Sequence, residues 1–327
     1  MTFAITGANG FLGVHIIHHL LKQRHTVRAI TRLGSSLAEF DKVKEFYKLA
    51  PESYAMLTWH ECVLYDTEGL EEVFSGVDYI MHLAGVISYL GKDFNRLLEV
   101  NQQYTANVVN VAKDAGVKKL LYCSSIAAIA KSGTEEAIRE NAEWDDELPH
   151  SNYGYSKHLG ELELWRGMEE GLASVAINPG IILGYGDWTK GSNKLFGNAQ
   201  NGFPFYSNGI TGWVGVEDVA CVAIKLCISD IVGERYIIVS ENKSFKEVAD
   251  SMTTALDTKK PSTEIKGLLY QIAYYFVACK EFIGLGGMLS KETVKASIAV
   301  NYFDNTKVKT ALDFDFENID AVIRKSV

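Results

Sequence analysis

The sequence lacks the features that mark several common classes of protein. Its 327 residues include only five cysteines, and none of them form a Cys-x-x-Cys pair. The net charge is −9, and lysine and arginine do not cluster into a basic face that would bind nucleic acid. We therefore expect free thiols, no disulfide framework, no metal site and no nucleic-acid partner.

Long apolar runs are also scarce. The sequence begins with the predicted strand MTFAITG, which leaves no room for a signal peptide, so we expect a cytoplasmic protein. The longest apolar run, 267–287, is interrupted by Lys280 and Glu281 and is too short to cross a bilayer, which takes about 20 residues. A helix over 268–283 would place one apolar stripe inward: Leu268, Leu269, Ile272, Tyr275, Phe276 and Cys279. We interpret it as a core helix; a substrate-facing helix and a membrane-surface helix are the alternatives.

Strand and helix patterns alternate through the first half of the chain. Short apolar runs such as FAIT, TVRAIT and ASVAINPG predict strands, and amphipathic runs between them predict helices. This alternation implies right-handed crossovers and an α/β fold with a doubly wound parallel sheet. After Pro179 the alternation stops. We predict a Rossmann domain of residues 1–178 with 212–240, and a smaller substrate-binding lobe of residues 179–211 with 241–327.

A glycine-rich turn follows the first predicted strand and opens the first predicted helix. Gly7, Gly10 and Gly13 have the spacing G-x-x-G-x-x-G. In this context Gly7 permits a tight turn, Gly10 lets the backbone approach a pyrophosphate, and Gly13 allows close packing of the helix on the strand. The helix N-terminus offers free N–H groups to the phosphates. The turn therefore predicts a dinucleotide site.

The end of the second predicted strand lacks the acidic residue with which an NAD site commonly binds the ribose. The sequence there is AITRLGSS. Arg32 is suited to a 2′-phosphate, and Ser35 or Ser36 supplies further donors. The alternative is that Arg32 is a solvated surface charge. We expect NADP in preference to NAD.

The run PHSNYGYSKHLGE holds two tyrosines and a lysine. In a helix, Tyr153 and Lys157 share a face because they are four residues apart, whereas Tyr155 points to the opposite side. An ammonium beside a phenol favours the phenolate and lowers a pKa that starts near about 10. The spacing therefore predicts Tyr153 as a general acid or base near neutral pH.

Six motifs in a fixed order resemble the extended short-chain dehydrogenases/reductases, the NAD-dependent epimerase/dehydratase family. They are TGANGFLG, HLAG, LLYCSSIAAIA, YGYSK, NPGIILG and GWVGVEDVA, and they extend over nearly the whole chain. The resemblance implies that Ser125 binds the substrate oxygen and that Lys157 also holds the nicotinamide ribose. It implies a homodimer formed by the helices that contain Asn101 and Tyr153. The cofactor contacts that it implies are Gly7, Asn9, Gly10, Phe11, Leu12, Gly13, Arg32, Leu64, Leu83, Ala84, Gly85, Tyr153, Lys157, Pro179 and Ile181.

Asn101 interrupts an apolar stripe formed by Leu97, Tyr104 and Val108 on its predicted helix. A buried amide needs hydrogen-bond partners. One interpretation is that neighbouring backbone groups satisfy it. The other, which the resemblance implies, is that Asn101 belongs to the catalytic set and orders a water beside Lys157.

Two positions depart from the pattern of this family. Val63 stands where an aspartate that binds adenine is frequent, so we expect the adenine contact to use the backbone near Leu64. Asn178 stands where an arginine frequently precedes the proline of the sixth strand.

The resemblance leaves three reactions to compare. Dehydratases of this family place acidic residues directly after the catalytic hydroxyl residue, where this chain has Ile126 and Ala127. Sugar-nucleotide epimerases bind a diphosphate with arginines of the second lobe, and residues 180–216 contain none. The aromatic second lobe is similar to dihydroflavonol-4-reductase-like and 3β-hydroxysteroid dehydrogenase-like reductases. We predict reduction of a small-molecule ketone or aldehyde by NADPH; an NAD-dependent epimerase and a non-catalytic NADP sensor are the alternatives.

Overall fold

Strands and helices alternate from the first residues onward. In the computed structural model, which describes residues 1–129, 136–282 and 290–327, the strands are β1 Thr2–Thr6, β2 Thr26–Thr31, β3 Leu57–Glu61, β4 Tyr79–His82, β5 Lys119–Cys123, β6 Ser174–Pro179, β7 Ile181–Leu183, β8 Phe205–Tyr206, β9 Ile210–Gly215, β10 Glu234–Ile238, β11 Glu241–Ser244 and β12 Thr263–Glu264. The helices are α1 Phe11–Lys22, α2 Ala38–Tyr47, α3 Thr67–Phe74, α4 Phe94–Leu98, α5 Tyr104–Asp114, α6 Asn152–Glu169, α7 Lys194–Gln200, α8 Val216–Ile228, α9 Phe245–Ala255, α10 Gly267–Phe282, α11 Lys291–Ile298, α12 Thr306–Leu312 and α13 Ile319–Ser326.

Seven of these strands form one parallel sheet in the order β3-β2-β1-β4-β5-β6-β10. The chain moves outward from β1 to β3 and then returns to the other side of β1 with β4. In such a doubly wound sheet, ligands bind where the strand order reverses, beyond the carboxyl ends of the central strands. This is the predicted fold class.

Helices cover both faces of the sheet. On one face α1 and α8 pack against β1, with Phe3 and Ile5 pointing toward them. On the other face α3, α5 and α6 pack against the side that carries Ala4 and Tyr122. Alternate residues of each strand are thus buried on opposite faces, as a sheet covered on both sides requires.

A smaller part of the chain contains two further sheets. β7, β9 and β11 form a three-stranded sheet, and β8 pairs with β12. Their core includes Leu183, Phe196, Trp213, Met252 and Ile323. β9 lies in this three-stranded sheet although most of its residues fall in the range predicted for the Rossmann domain. The division into two lobes at the predicted boundaries stays a prediction.

The helical segment that carries Asn101 contains a feature that the sequence pattern missed. One π turn, Glu99–Gln103, connects α4 to α5. Its extra residue rotates the following helix, so that Thr105 is fully buried, whereas Tyr104 is half-buried against the core and its hydroxyl donates to Glu99 at 2.6 Å. The predicted stripe is therefore only partly covered at Tyr104. Single π turns often occur at functional sites.

The interpretation of α10 as a core helix is wrong for three of the four described stripe residues, whereas the fourth, Leu269, is half-buried. Leu268, Ile272 and Tyr275 are 72%, 56% and 67% exposed. Phe276 and Cys279 lie outside the described side chains. Within the described part of the chain, no helix has the length and apolar character needed to span a membrane.

Candidate active site

The glycine turn after β1 has the close contacts that its spacing predicts. Gly7 has φ +68°, and a Cβ there would lie 2.8 Å from the backbone of Ala84, which follows β4. A Cβ on Gly13 would lie 2.5 Å from the carbonyl oxygen of Gly7. Both positions therefore exclude larger residues, because the turn packs directly against α1 and β4.

The N-terminus of α1 is suited to an anion. Gly10 precedes the helix, no described side chain caps its first N–H groups, and its first turn contains no acidic residue. Asn9, Gly10 and Phe11 line a cleft with Lys190 and Asn193, and the cleft also contains Glu39 and Asp187, the second of which pairs with Lys190. Free N–H groups at the positive end of a helix dipole fit the diphosphate of a dinucleotide.

The loop after β2 presents Arg32 to solvent. Among the described residues, none forms an ion pair with Arg32, which is exposed directly after the last residue of β2. The loop is anchored on both sides: Gly34 N–H donates to Glu61 Oε1 at 3.0 Å, and Asn9 Nδ2 donates to the Ser36 carbonyl at 3.2 Å. A free guanidinium at this place fits a 2′-phosphate.

Tyr153 and Ser125 meet because α6 lies close to the turn after β5. Ser151 caps α6 by accepting from Gly154 N–H at 2.9 Å, and any side chain at Gly154 would collide with the Ala127 carbonyl oxygen. Tyr153 is only 8% exposed, and its phenol lies near enough to the Ser125 hydroxyl for that hydroxyl to lower the pKa of the phenol. Lys157 lies one helical turn further along and is also buried.

Burial dominates the electrostatics of this group. It raises the pKa of Tyr153, and the neighbouring Tyr89 and Cys123 add to this, whereas the nearby Ser125 hydroxyl lowers it. Burial lowers the pKa of Lys157 to about 8, opposed by Cys123 and Glu161. Burial thus moves the pKa of Tyr153 in the direction opposite to the one expected from Lys157, because a phenolate loses its hydration there. A lowering of this pKa by Lys157 stays a prediction.

Tyr155 lies apart from this group, as the helical spacing predicts. It is half-buried, with its ring centroid 6.4 Å from that of Phe94 and 6.3 Å from that of Trp144. Of the two tyrosines, only Tyr153 contacts Ser125.

The side chain of Asn101 is held by backbone and side-chain partners. Its Oδ1 accepts from Val86 N–H at 2.8 Å, and its Nδ2 donates to the Val86 carbonyl and to Ser156 Oγ, both at 2.9 Å. These contacts support the interpretation in which neighbouring groups satisfy the amide. The Asn101 carbonyl accepts from Thr105 Oγ1 at 2.8 Å. A role for Asn101 in a water relay stays a prediction.

The other predicted cofactor residues lie along the carboxyl ends of the strands. Leu83, Ala84 and Gly85 follow β4, and Ala84 N–H donates to Thr6 Oγ1 at 3.2 Å. Pro179 ends β6 and Ile181 begins β7. Leu64 follows β3, and its carbonyl is already bonded to Asn107 Nδ2 at 3.0 Å, so an adenine contact there would use other backbone atoms. The cofactor roles of these residues stay predictions.

Several residues near the site were given no role by the sequence analysis, which named Asn178 only as a departure from the family pattern. The ring centroid of Tyr89 lies 5.8 Å from that of Tyr153, and no motif marks Tyr89 in the sequence. Glu161 and Asn178 form a buried polar pair behind Ser125. Glu161 could have been identified, because it follows Lys157 by four residues and so shares its helical face.

The described aromatic residues between Trp188 and Trp213 do not form one pocket. Trp213 is fully buried in the core, and Trp188 packs against Phe196 with ring centroids 5.5 Å apart. Phe203 and Phe205 are exposed and contact each other. Thiols and metal ligands give no further site: Cys62, Cys123, Cys221 and Cys227 are free, and the described residues contain no group of three His, Cys, Asp or Glu side chains that could hold a metal ion.

Comparison with known proteins identifies the family. The model of the NAD dependent epimerase/dehydratase family matches residues 3–226. The chain belongs to this family of enzymes. It is 25% identical over 335 residues to a putative dihydroflavonol 4-reductase of Synechocystis sp., covering 99% of this chain and 93% of that protein. It is 27% identical to cinnamoyl-CoA reductase 1 of Petunia hybrida, covering 71% of each chain.

Solved structures of other enzymes share the fold. The Bordetella bronchiseptica enzyme WbmG, solved in complex with NAD, superposes with a TM-score of 0.75 at 20% identity over 100% of this chain and 92% of that chain. UDP-glucose 4-epimerase of Thermotoga maritima, solved with UDP-glucose, gives a TM-score of 0.78 at 18% identity over 100% and 97% of the two chains. At these identities the similarity establishes the fold and leaves the substrate open.

Proposed function

We propose that this enzyme reduces a ketone or aldehyde with NADPH. The observation that carries the proposal is the buried contact of Tyr153 with Ser125 beside Lys157, at the strand ends that also hold the glycine turn. The names of two relatives, a dihydroflavonol 4-reductase and a cinnamoyl-CoA reductase, support reduction of an oxygen-bearing carbon.

The residues around the glycine turn fit NADPH. The N–H groups at the start of α1 would hold the diphosphate, and Arg32 would hold the 2′-phosphate. When bound, NADPH supplies the hydride that the carbonyl carbon of the substrate accepts. The cleft between the glycine turn and Lys190 leaves the N-terminus of α1 accessible to a ligand.

The proton comes from the chain itself. Because burial raises the pKa of Tyr153, its phenol is protonated at neutral pH and can donate to the carbonyl oxygen as the carbon gains the hydride. The Ser125 hydroxyl holds that oxygen beside the phenol. Lys157, whose pKa is about 8, still carries a proton at pH 7 and can return one to the tyrosinate. The product is an alcohol, with one hydride and one proton added.

Turnover assays with a substrate panel test the proposal. Purified protein would be mixed with NADPH or NADH and with apolar ketones, aldehydes or UDP-sugars, and nicotinamide absorbance would be followed. We expect oxidation of NADPH by at least one apolar carbonyl compound. Conversion of a UDP-sugar to its epimer without net absorbance change would instead identify an epimerase. Tight NADPH binding without turnover would identify a sensor.

A homodimer formed by the helices containing Asn101 and Tyr153 also remains a proposal. Light scattering at several protein concentrations would test it, since a dimer would show twice the monomer mass.

A further inference from the structure

A buried polar network lies directly behind Ser125 and Lys157. Asn178 Nδ2 donates to the Ser125 carbonyl at 2.9 Å and to Glu161 Oε1 at 2.6 Å. The other carboxylate oxygen of Glu161 accepts from Arg235 at 3.2 Å. Asn178 is fully buried and Glu161 is 1% exposed. The network thus links the backbone of Ser125 to a guanidinium on the outermost strand, β10.

Three elements fix the geometry of this network. Glu161 follows Lys157 by one turn of α6, and Asn178 precedes the last residue of β6. Arg235 lies on β10, which pairs with β6 in parallel. The guanidinium also donates to the carbonyls of Glu140 and Ala142, at 2.7 and 2.9 Å. Arg235 is therefore held in one orientation, and it fixes the carboxylate in turn.

Stability alone is a poor explanation for these groups. Taking a carboxylate and a guanidinium out of water costs free energy that their mutual attraction often fails to recover, and apolar residues of similar size would serve a core at least as well. One hydrogen bond of the network instead reaches the site and fixes the carbonyl of Ser125. Glu161 lies one helical turn from Lys157 and, after Cys123, is the second group that opposes the loss of the Lys157 proton.

We infer that Glu161, Asn178 and Arg235 are positioning residues, in which Asn178 sets the place of Ser125 and Glu161, held by Arg235, keeps Lys157 charged. The inference rests on the proposed reductase function for its kinetic part. Its electrostatic part concerns Lys157 alone and is measurable without turnover. A nearby negative charge favours an ammonium, so removal of the Glu161 charge should lower the pKa of Lys157.

The experiment uses the full chain labelled with ¹³C at lysine Cε. The Lys157 signal is assigned with Lys157→Met and titrated by NMR in wild type, Glu161→Gln and Glu163→Gln. Glu163 is the matched control because it sits on the same helix but pairs with Arg166 at the surface. We expect Glu161→Gln to move the Lys157 titration to lower pH by about half a unit or more, and Glu163→Gln to leave it unchanged.

Kinetic measurements test the kinetic part of the inference, the placement of Ser125 by Asn178. Asn178→Ala should lower kcat for the carbonyl substrate about tenfold with KM for NADPH unchanged, because Ser125 loses the bond that places it. Glu161→Gln should shift the alkaline limb of the kcat profile in the direction of its Lys157 titration. Equal Lys157 titrations in wild type and Glu161→Gln would overturn the inference, as would full kcat in Asn178→Ala.

Two further variants keep the inference testable if Glu161→Gln does not fold. Should Glu161→Gln not fold, the double variant Glu161→Gln/Arg235→Gln removes both charges and leaves neither unpaired. Glu161→Asp retains the charge and should retain the wild-type Lys157 titration. If the Lys157 signal shifts as expected but no carbonyl compound is reduced, the proposed function fails and the electrostatic role of Glu161 stands.

Discussion

The Nζ atom of Lys157 lies 4.2 Å from the ring centroid of Tyr122, and both side chains are buried. A cation over the face of an aromatic ring is attracted by the ring quadrupole. Within the described structure, the ammonium of Lys157 contacts this ring and makes no hydrogen bond to Tyr153. The ring of Tyr122, on β5, thus contacts the ammonium of Lys157, whereas the Ser125 hydroxyl is the neighbour of the Tyr153 phenol.

The two tyrosines of α6 should differ sharply in their effect on turnover. Tyr153→Phe removes the proton donor and should lower kcat by about 10²-fold or more, with the Kd for NADPH nearly unchanged. Tyr155→Phe is the matched control and should keep most activity, because Tyr155 packs near Phe94 and Trp144 away from Ser125. Steady-state kinetics and fluorescence titration with NADPH measure both. Equal losses in the two variants would refute the assignment of Tyr153.

Cofactor preference should depend on Arg32. Because its guanidinium is exposed and unpaired among the described residues, Arg32→Ala should weaken binding of NADPH and leave that of NADH nearly unchanged. Lys22→Ala, at the opposite end of α1, removes one positive charge as a control and should change neither affinity. Calorimetric Kd values for both cofactors check this. A wild-type protein that binds NADH as tightly as NADPH would contradict the assignment.

The parts of the site predictable from sequence are those set by local geometry. The glycine spacing follows from contacts within one strand–turn–helix unit, and the four-residue spacing of Tyr153 and Lys157 follows from one helix. Tyr89, Asn178 and Arg235 were not predictable in this way, because they reach the site through the packing of separate elements. The π turn near Asn101 was missed because an apolar stripe is equally compatible with an uninterrupted helix.

The exposed face of α10 should tolerate polar substitution. Ile272→Ser should change the free energy of unfolding by less than about 0.5 kcal/mol, because Ile272 is exposed. Val294→Ser on the adjacent α11 is the contrasting variant; Val294 is buried, so it should cost roughly 1 to 3 kcal/mol. Urea denaturation measures both. Similar losses in the two variants would show that Ile272 is covered in solution, for example by a second copy of the chain.

Buried histidines should make the protein sensitive to acid. Burial lowers the pKa of His15 to about 3 and that of His19 to about 4. Since these values lie below the unfolded pKa of about 6.5, their contribution to stability is complete above that pH and is lost as the pH falls toward the folded values. Asp218, whose pKa burial raises to about 6, acts in the opposite sense over part of this range.

A single variant isolates the contribution of His15. Between pH 7 and pH 4.5, the free energy of unfolding should fall by about 2 kcal/mol less in His15→Gln than in wild type. The comparison is made by urea denaturation at both pH values, and parallel pH profiles for wild type and His15→Gln would refute the prediction.

The buried charge of Lys157 should lower the free energy of unfolding of the protein. Its pKa falls from 10.5 to about 8 because the ammonium is buried, and at pH 7 this corresponds to a cost of about 3 kcal/mol. The contact with Tyr122 offsets about 1 kcal/mol of that cost. Lys157→Met should therefore abolish turnover and yet raise the free energy of unfolding at pH 7 by roughly 1 to 2 kcal/mol. The surface variant Lys113→Met should do neither.

The pH dependence of that gain provides its own check. Between pH 8 and pH 10.5 the folded protein releases the Lys157 proton before the unfolded chain does, so the contribution of Lys157 to wild-type stability should become less unfavourable as the pH rises over this interval. Lys157→Met has no such proton and should lack this change, so its advantage over wild type should shrink as the pH increases. Urea denaturation at pH 7, 8.5 and 10 measures the difference. A variant less stable than wild type at pH 7 would show that packing and attraction at Lys157 outweigh the desolvation of its charge.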